Sequence, residues 1–131
     1  MKKRSKGNAP IGVFDSGLGG LTVVKAIRKV LPREDMVYFG DTARVPYGTK
    51  SPQAIIKFSQ QNARVLIAEG VKAIVIACNS SSSYALELLQ KEFPLPIIGV
   101  IQPGVNKALK VTKTNRIGVV ATPATIRSLS Y

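Results

Sequence analysis

Short apolar runs alternate along this chain with stretches of helical spacing, and each apolar run gives way to small polar residues. Ile11-Gly12-Val13-Phe14 is the first run, followed by the turn-forming Asp15-Ser16-Gly17-Leu18-Gly19-Gly20. Leu21, Val24, Ile27 and Leu31 then recur at the spacing of one helix face, and Pro32 stops that helix. Met36 to Phe39 reads as a second strand, leading into Gly40 to Gly48, a segment too rich in turn formers for regular structure. Ser51-Pro52 has the form of an N-cap with proline in the first helical turn. Ile56, Ala63 and Ile67 mark one face of the helix that follows, and Gly70 ends it. Ala73 to Ala77 is a third strand, and Ala85, Leu88 and Leu89 mark the helix after it, closed by Pro94 and Pro96. Ile97 to Val100 reads as a fourth strand, with a short helix opened by Pro103 and reaching Ala108 and Leu109. Lys110 to Arg116 is a polar turn, Ile117 to Ala121 a fifth strand, and Thr122-Pro123 the cap of one more helix. No stop signal for that helix precedes Tyr131, so a chain cut short is expected. Strands and helices in this alternation predict an α/β fold, a parallel sheet flanked by helices on both faces.

In parallel units the strand ends face one edge of the sheet, where open α/β sheets bind ligands. The predicted ends are Asp15-Ser16, Asp41-Thr42, Cys78-Asn79 and Thr122, so that edge gathers carboxylates, a thiol, an amide and hydroxyls. Thr42 and Thr122 have an ordinary explanation as helix caps. Cys78 stands where Ala73-Ile74-Val75-Ile76-Ala77 breaks into Asn79-Ser80-Ser81-Ser82-Ser83. At the N-terminus of a helix the unpaired N–H groups and partial positive charge favour a thiolate, which would act as base or nucleophile. Position alone leaves a buried structural thiol equally open.

Composition narrows the chemistry. At 131 residues, 45% hydrophobic, the chain has the size and make-up of one globular domain. One cysteine forms no internal disulfide, and with no histidine every Ser-His or Cys-His pair within the chain is excluded. The paired cysteines and histidines of a structural zinc site are missing, so no metal is expected. No apolar run approaches the ~20 residues of a membrane span, and the basic start lacks the apolar core of a signal peptide. A cytoplasmic setting without membrane attachment is the expectation. The net charge of +12 invites a nucleic-acid reading, but its distribution weakens it. Lys2, Lys3, Arg4 and Lys6 belong to a tail, and Lys107, Lys110, Lys113, Arg116 and Arg127 follow the last acid, Glu92. Aromatics are only 6% and carry no RNA-binding signature, so solvated lysines and a small anionic substrate explain the charge at least as well.

The glycine loop Asp15 to Gly20 matches no nucleotide fingerprint: Thr22 stands where a dinucleotide site needs glycine, and the Gly-Lys-Ser/Thr ending of a P-loop is absent. A tight turn whose N–H groups approach a small carboxylate fits better, which favours amino acids over nucleotides.

The stretch Ile11 to Val23 resembles the opening motif of the glutamate racemases. Gly40 to Gly48, Ala77-Cys78-Asn79, Gly99 to Gly104 and Ile117 to Thr125 resemble further motifs of that family in the same order, over residues 10 to 131. The resemblance implies two similar α/β domains with the active site between them, no cofactor, and interconversion of L- and D-glutamate to supply D-glutamate for peptidoglycan. Residues 1–9, expected from their charge to be a disordered basic tail, lie outside the match, and the resemblance implies that 10–101 are the N-terminal domain and 102–131 the truncated start of the second. By the same resemblance Cys78 is one of two catalytic cysteines, assisted by Asp15. Ser16, Tyr47, Gly48, Asn79 and Ser80, with Asp15 and more weakly Thr122, would hold the substrate. Two departures stand out. Ser80-Ser81 replaces the family's usual Thr-Ala, and the segment bearing the second cysteine and a histidine is missing. The site would need the missing half or a second copy of this chain, as in a homodimer. The alternatives are a racemase of another amino acid such as aspartate, or a catalytically inactive fragment acting as a binding module.

Overall fold

The computed structural model describes residues 9–131, so the expected tail lies outside the described residues except for Ala9. Four strands form one parallel sheet: β1 (Ile11–Asp15), β2 (Met36–Gly40), β3 (Ala73–Ile76) and β4 (Ile97–Gly99). Their spatial order is β2-β1-β3-β4, so the winding reverses between β1 and β3. Phe14 lies beside Ile76 in that pairing, and the Ala77 N–H extends the ladder to the Phe14 carbonyl at 2.8 Å.

The helices are α1 (Leu21–Val30), α2 (Pro52–Ala68), α3 (Asn79–Glu92), α4 (Ile101–Val111) and α5 (Pro123–Arg127). Side chains alternate across a strand, so each strand serves both faces. Ile11, Val13 and Ala77 pack with Val23, Val24 and Ile27 of α1 on one side. Phe14, Ile74 and Ile76 pack on the other with Ala63 and Leu66 of α2 and Ala85 and Leu89 of α3. The expected layering is therefore present, with the larger core under α2 and α3. Ser51 caps α2 as its spacing predicts, accepting from the Ala54 N–H at 3.2 Å, and Gly70 leaves the helix at a φ of +75° that a side chain would strain.

Two expectations are corrected. The helix expected from Pro103 begins at Ile101, with proline inside its first turn, where a missing N–H costs nothing. Residues 117–121 form no strand. A strand needs a neighbour for its backbone groups, and β4 is the edge of the described sheet. The segment lies instead beside Val105, Ala108 and Leu109 of α4, with Val120 fully exposed. Leu88, read as marking the helix, is also substantially exposed, while Ala85 and Leu89 carry the packing of α3.

The serines that open α3 look equivalent in sequence and are not. Ser82 is buried and ties two strand ends together, donating to the Ile76 carbonyl and accepting from the Val100 N–H. Ser83 bonds back to the Asn79 carbonyl, one helical turn earlier. Ser81 is fully buried and its hydroxyl has no partner. A buried hydroxyl left unpaired costs free energy that an alanine would not. Ser81→Ala should therefore raise the unfolding free energy by about 1 kcal/mol, visible as a rise of a few degrees in Tm by calorimetry.

Candidate active site

The reversal between β1 and β3 opens a crevice at the carboxyl ends of these strands. A cleft of about 600 Å³ sits there, large enough for a small molecule. β1 delivers Asp15 and Ser16 to it, and β3 delivers Cys78, Asn79 and Ser80. The loop after β2 supplies Tyr47 and Gly48, and Thr122 closes the far side. Every residue that the resemblance assigns to the site thus borders one cleft, whereas Asp41 and Thr42, the predicted end of the second strand, do not line it.

Their contacts differ. The Cys78 thiol lies 3.5 Å from the Ser16 hydroxyl, which in turn faces Asp15 Oδ1 at 3.5 Å. The other oxygen of Asp15 accepts the Gly20 N–H at 2.9 Å, anchoring the glycine turn where α1 begins. Asp15 is buried, so its carboxylate is both a structural anchor and the nearest acid to the Ser16–Cys78 pair. Cys78 is the residue before α3, and the first N–H groups of a helix have no acceptor within it. These donors and the thiol therefore share one corner of the cleft. Tyr38, whose hydroxyl donates to the Gly17 carbonyl at 2.8 Å, has its pKa raised by burial and then by the nearby Asp15 and Cys78 charges.

The far wall is joined to α3 through hydroxyls. Ser80 Oγ is 3.0 Å from Thr122 Oγ1 and 3.4 Å from Thr125 Oγ1. Thr122 also caps α5, accepting from the Thr125 N–H, so the capping reading and the cleft reading hold together. Gly48 lies so close to Thr122 that a Cβ there would come within 2.4 Å of the threonine Cβ, and its carbonyl accepts the Ala124 N–H. Only glycine permits that approach.

Tyr47 departs from a simple substrate contact. Its side chain is buried against Ile55, Cys78 and Ala124, and its hydroxyl donates to Asp41 Oδ2 and accepts from Asn62 Nδ2 at 3.0 Å. Arg44 completes this cluster, with Nε 2.6 Å from Asp41 Oδ2, Nη2 3.1 Å from Asn62 Oδ1 and its guanidinium 4.4 Å above the Phe58 ring. Asp41 stood at a predicted strand end without an assigned role, and Arg44 and Asn62 were not singled out. Asn62 was detectable, because it occupies the buried stripe of α2 formed by Ile55, Ser59, Ala63 and Leu66. A second missed contact is Tyr131, whose hydroxyl donates to Asn79 Oδ1 at 2.6 Å at the rim of the cleft. Among the described residues no three His, Cys, Asp or Glu side chains gather as a metal site, and no helix is long and apolar enough to cross a membrane.

Sheet order and cleft together define a doubly wound α/β domain with a thiol and a carboxylate at its switch point. The Asp/Glu/Hydantoin racemase family matches residues 11–131, and the chain belongs to that family. It is 56% identical over 121 residues to the glutamate racemase of Aquifex aeolicus, covering 92% of this chain and 48% of that protein. The structure of the Aquifex pyrophilus glutamate racemase superposes with a TM-score of 0.89 at 55% identity, over 91% of this chain and 47% of that one. The Francisella tularensis glutamate racemase, solved in complex with D-glutamate, gives 0.86 at 53% identity, over 95% and 46%. The chain spans about half the length of the relatives it matches.

Burial and the Asp41 bond, in that order, raise the Tyr47 pKa well above the usual value of 10.0. The folded chain then keeps this proton after the unfolded chain has lost it. The stabilisation is complete below pH 10 and is lost as pH rises toward the folded value. In chemical denaturation, unfolding free energy should fall more steeply with pH above 10 in the wild type than in Tyr47→Phe.

Proposed function

We propose that this chain is the first half of a cofactor-independent glutamate racemase. In it the Cys78 thiolate takes the Cα proton of D-glutamate, with Asp15 acting beside it through Ser16. The thiol and hydroxyl held 3.5 Å apart at the β1–β3 switch point carry this reading, in a family whose half-identical relatives are named glutamate racemases. A Cα–H next to an ionised carboxylate is a very weak acid, so its base must be close, aligned and shielded from water. Cys78, 6% exposed, meets the last condition while bordering the cleft. Charge developing on the substrate carboxylate needs donors, which the first turn of α3, Ser80 and the Tyr47-Gly48 corner would provide.

Inversion needs an acid on the opposite face, and the one cysteine of this chain cannot serve both faces without moving. The second thiol would come from the half of the relatives' length that this chain does not span. On this reading residues 10–101 are the first domain and 102–131 the beginning of the second. The apolar segment 117–120 is then a strand of that second domain, unpaired until its sheet is present. The enzyme would work in the cytoplasm, supplying D-glutamate for cell-wall synthesis.

Cα hydrogen exchange in D2O, followed by NMR, tests the assignment. Deuterium should enter D-glutamate but not L-glutamate, and Cys78→Ala should abolish it. Exchange that survives this substitution would remove the thiol from the mechanism. Exchange into aspartate in preference to glutamate would move the assignment to that substrate.

A further inference from the structure

The residues after α5 carry a conformational cost that the chemistry described so far does not use. Leu129 takes a φ of +55°, in the left-handed region that a bulky side chain enters only under constraint. Its side chain is 88% exposed, so no packing of its own offsets that cost. The bend turns the chain back toward α3 and is fastened there by hydroxyls. Ser128 donates to the Thr125 carbonyl at 2.7 Å and accepts the Ser130 N–H at 3.3 Å, while the Ser130 hydroxyl donates to the Ser83 carbonyl of α3 at 3.3 Å. Tyr131 is thereby delivered to the rim of the cleft, where its hydroxyl donates to Asn79 Oδ1 at 2.6 Å. Asn79 is the first residue of α3 and borders the cleft itself. Its main-chain carbonyl is taken by the Ser83 hydroxyl at 2.9 Å and its side-chain oxygen by Tyr131. Among the described residues nothing accepts from Asn79 Nδ2. With its oxygen engaged, this amide has only the two N–H donors of its nitrogen left to offer.

We propose that Tyr131 is a positioning residue, which holds the Asn79 side chain with its amide nitrogen presented to the cleft and so makes that rim selective for a carboxylate. The two ends of an amide are alike in shape and opposite in hydrogen-bonding sense. An unfastened asparagine would offer either one by a half-turn about its Cβ–Cγ bond. With Oδ1 turned to the cleft, the rim would repel a carboxylate and accept an ammonium. An amino acid carries both groups, so the orientation of this one amide decides which end of the ligand the rim holds. The phenol fixes it because its proton can be given only to the oxygen. Asn79 is itself exposed, so packing does not hold its side chain, and the bond from Tyr131 supplies the rigidity that a preorganised donor needs. Only the identity of the ligand as glutamate rests on the proposed function; the fastening of the amide does not.

NMR on the intact 131-residue chain reads both parts of the proposal. Nitrogen relaxation of the Asn79 side-chain NH2, identified by its loss in Asn79→Ala, reports the fastening without any ligand. The group should be as rigid as the backbone of α3 in the wild type. It should become mobile in Tyr131→Phe, which keeps the ring and removes the hydroxyl. Titration with D-glutamate reports the consequence. Tyr131→Phe should weaken binding by about fivefold, the equivalent of one net hydrogen bond. In the Asn79→Ala background the same substitution should have no further effect, because its route to the ligand is gone. Leu66→Val, in the core beneath the sheet, should leave both the amide and the affinity unchanged. An Asn79 amide equally mobile in the wild type and in Tyr131→Phe overturns the proposal. So does binding that Tyr131→Phe leaves intact, or a loss of the same size in the Asn79→Ala background. A wild type that takes up no D-glutamate, yet holds its Asn79 amide only while the phenol is present, rejects glutamate as the ligand and upholds the positioning.

Discussion

The parallel pairing of β1 with β3 is the constraint on which the rest of this molecule depends. It sets Phe14 beside Ile76, and two residues past each of these partners stand Ser16 and Cys78. Register in a sheet is all or nothing, because a slip of one residue exchanges the faces of every side chain. Phe14 and Ile76 share a dry core with α2 and α3, so a slip would expose them and bury their polar neighbours. The geometry of the thiol is therefore enforced by packing beneath it rather than by its own weak bond to Ser16.

Around that pair the chain uses small polar side chains as fasteners. Asp15 holds the glycine turn, Ser82 holds two strand ends, and Ser80 joins α3 to the segment that carries Thr122. Each of these bonds is modest in water, but leaving any of the buried groups unpaired is costly, so they act more on specificity of arrangement than on net stability. Ser81 shows the counter-example within the same turn, a buried hydroxyl that fastens nothing.

The chain before and after Ile101 buries its apolar residues to different degrees. Up to Ile101 the apolar side chains of β1 and the core-facing ones of β3, α2 and α3 are buried, and the cleft has defined walls. Beyond it, Leu109, Val111, Ile117, Val119 and Val120 are all exposed. This apolar surface is gathered in the last thirty residues of a chain that spans about half the length of its relatives. Thr122, Ala124 and Tyr131 meanwhile reach back to Ser80, Gly48 and Asn79, so the cleft draws on both segments.

By itself the sequence determined the α/β class, four of the strands, most helix limits and the residues that gather at the sheet edge. These follow from local signals, the period of apolar positions and the chemistry of caps and turns. Its fifth strand, Ile117 to Ala121, is not formed in this structure, because strand composition alone does not supply the neighbour that strand structure requires. It left Asp41, Arg44 and Asn62 without roles, since a buried bond between a strand end, a loop and a helix has no local signature. Only the tertiary structure decided that the Tyr47 hydroxyl turns to Asp41 rather than to a ligand, and that of four adjacent serines one is orphaned. Those outcomes depend on which distant atoms arrive within hydrogen-bonding reach, which burial settles and sequence spacing does not.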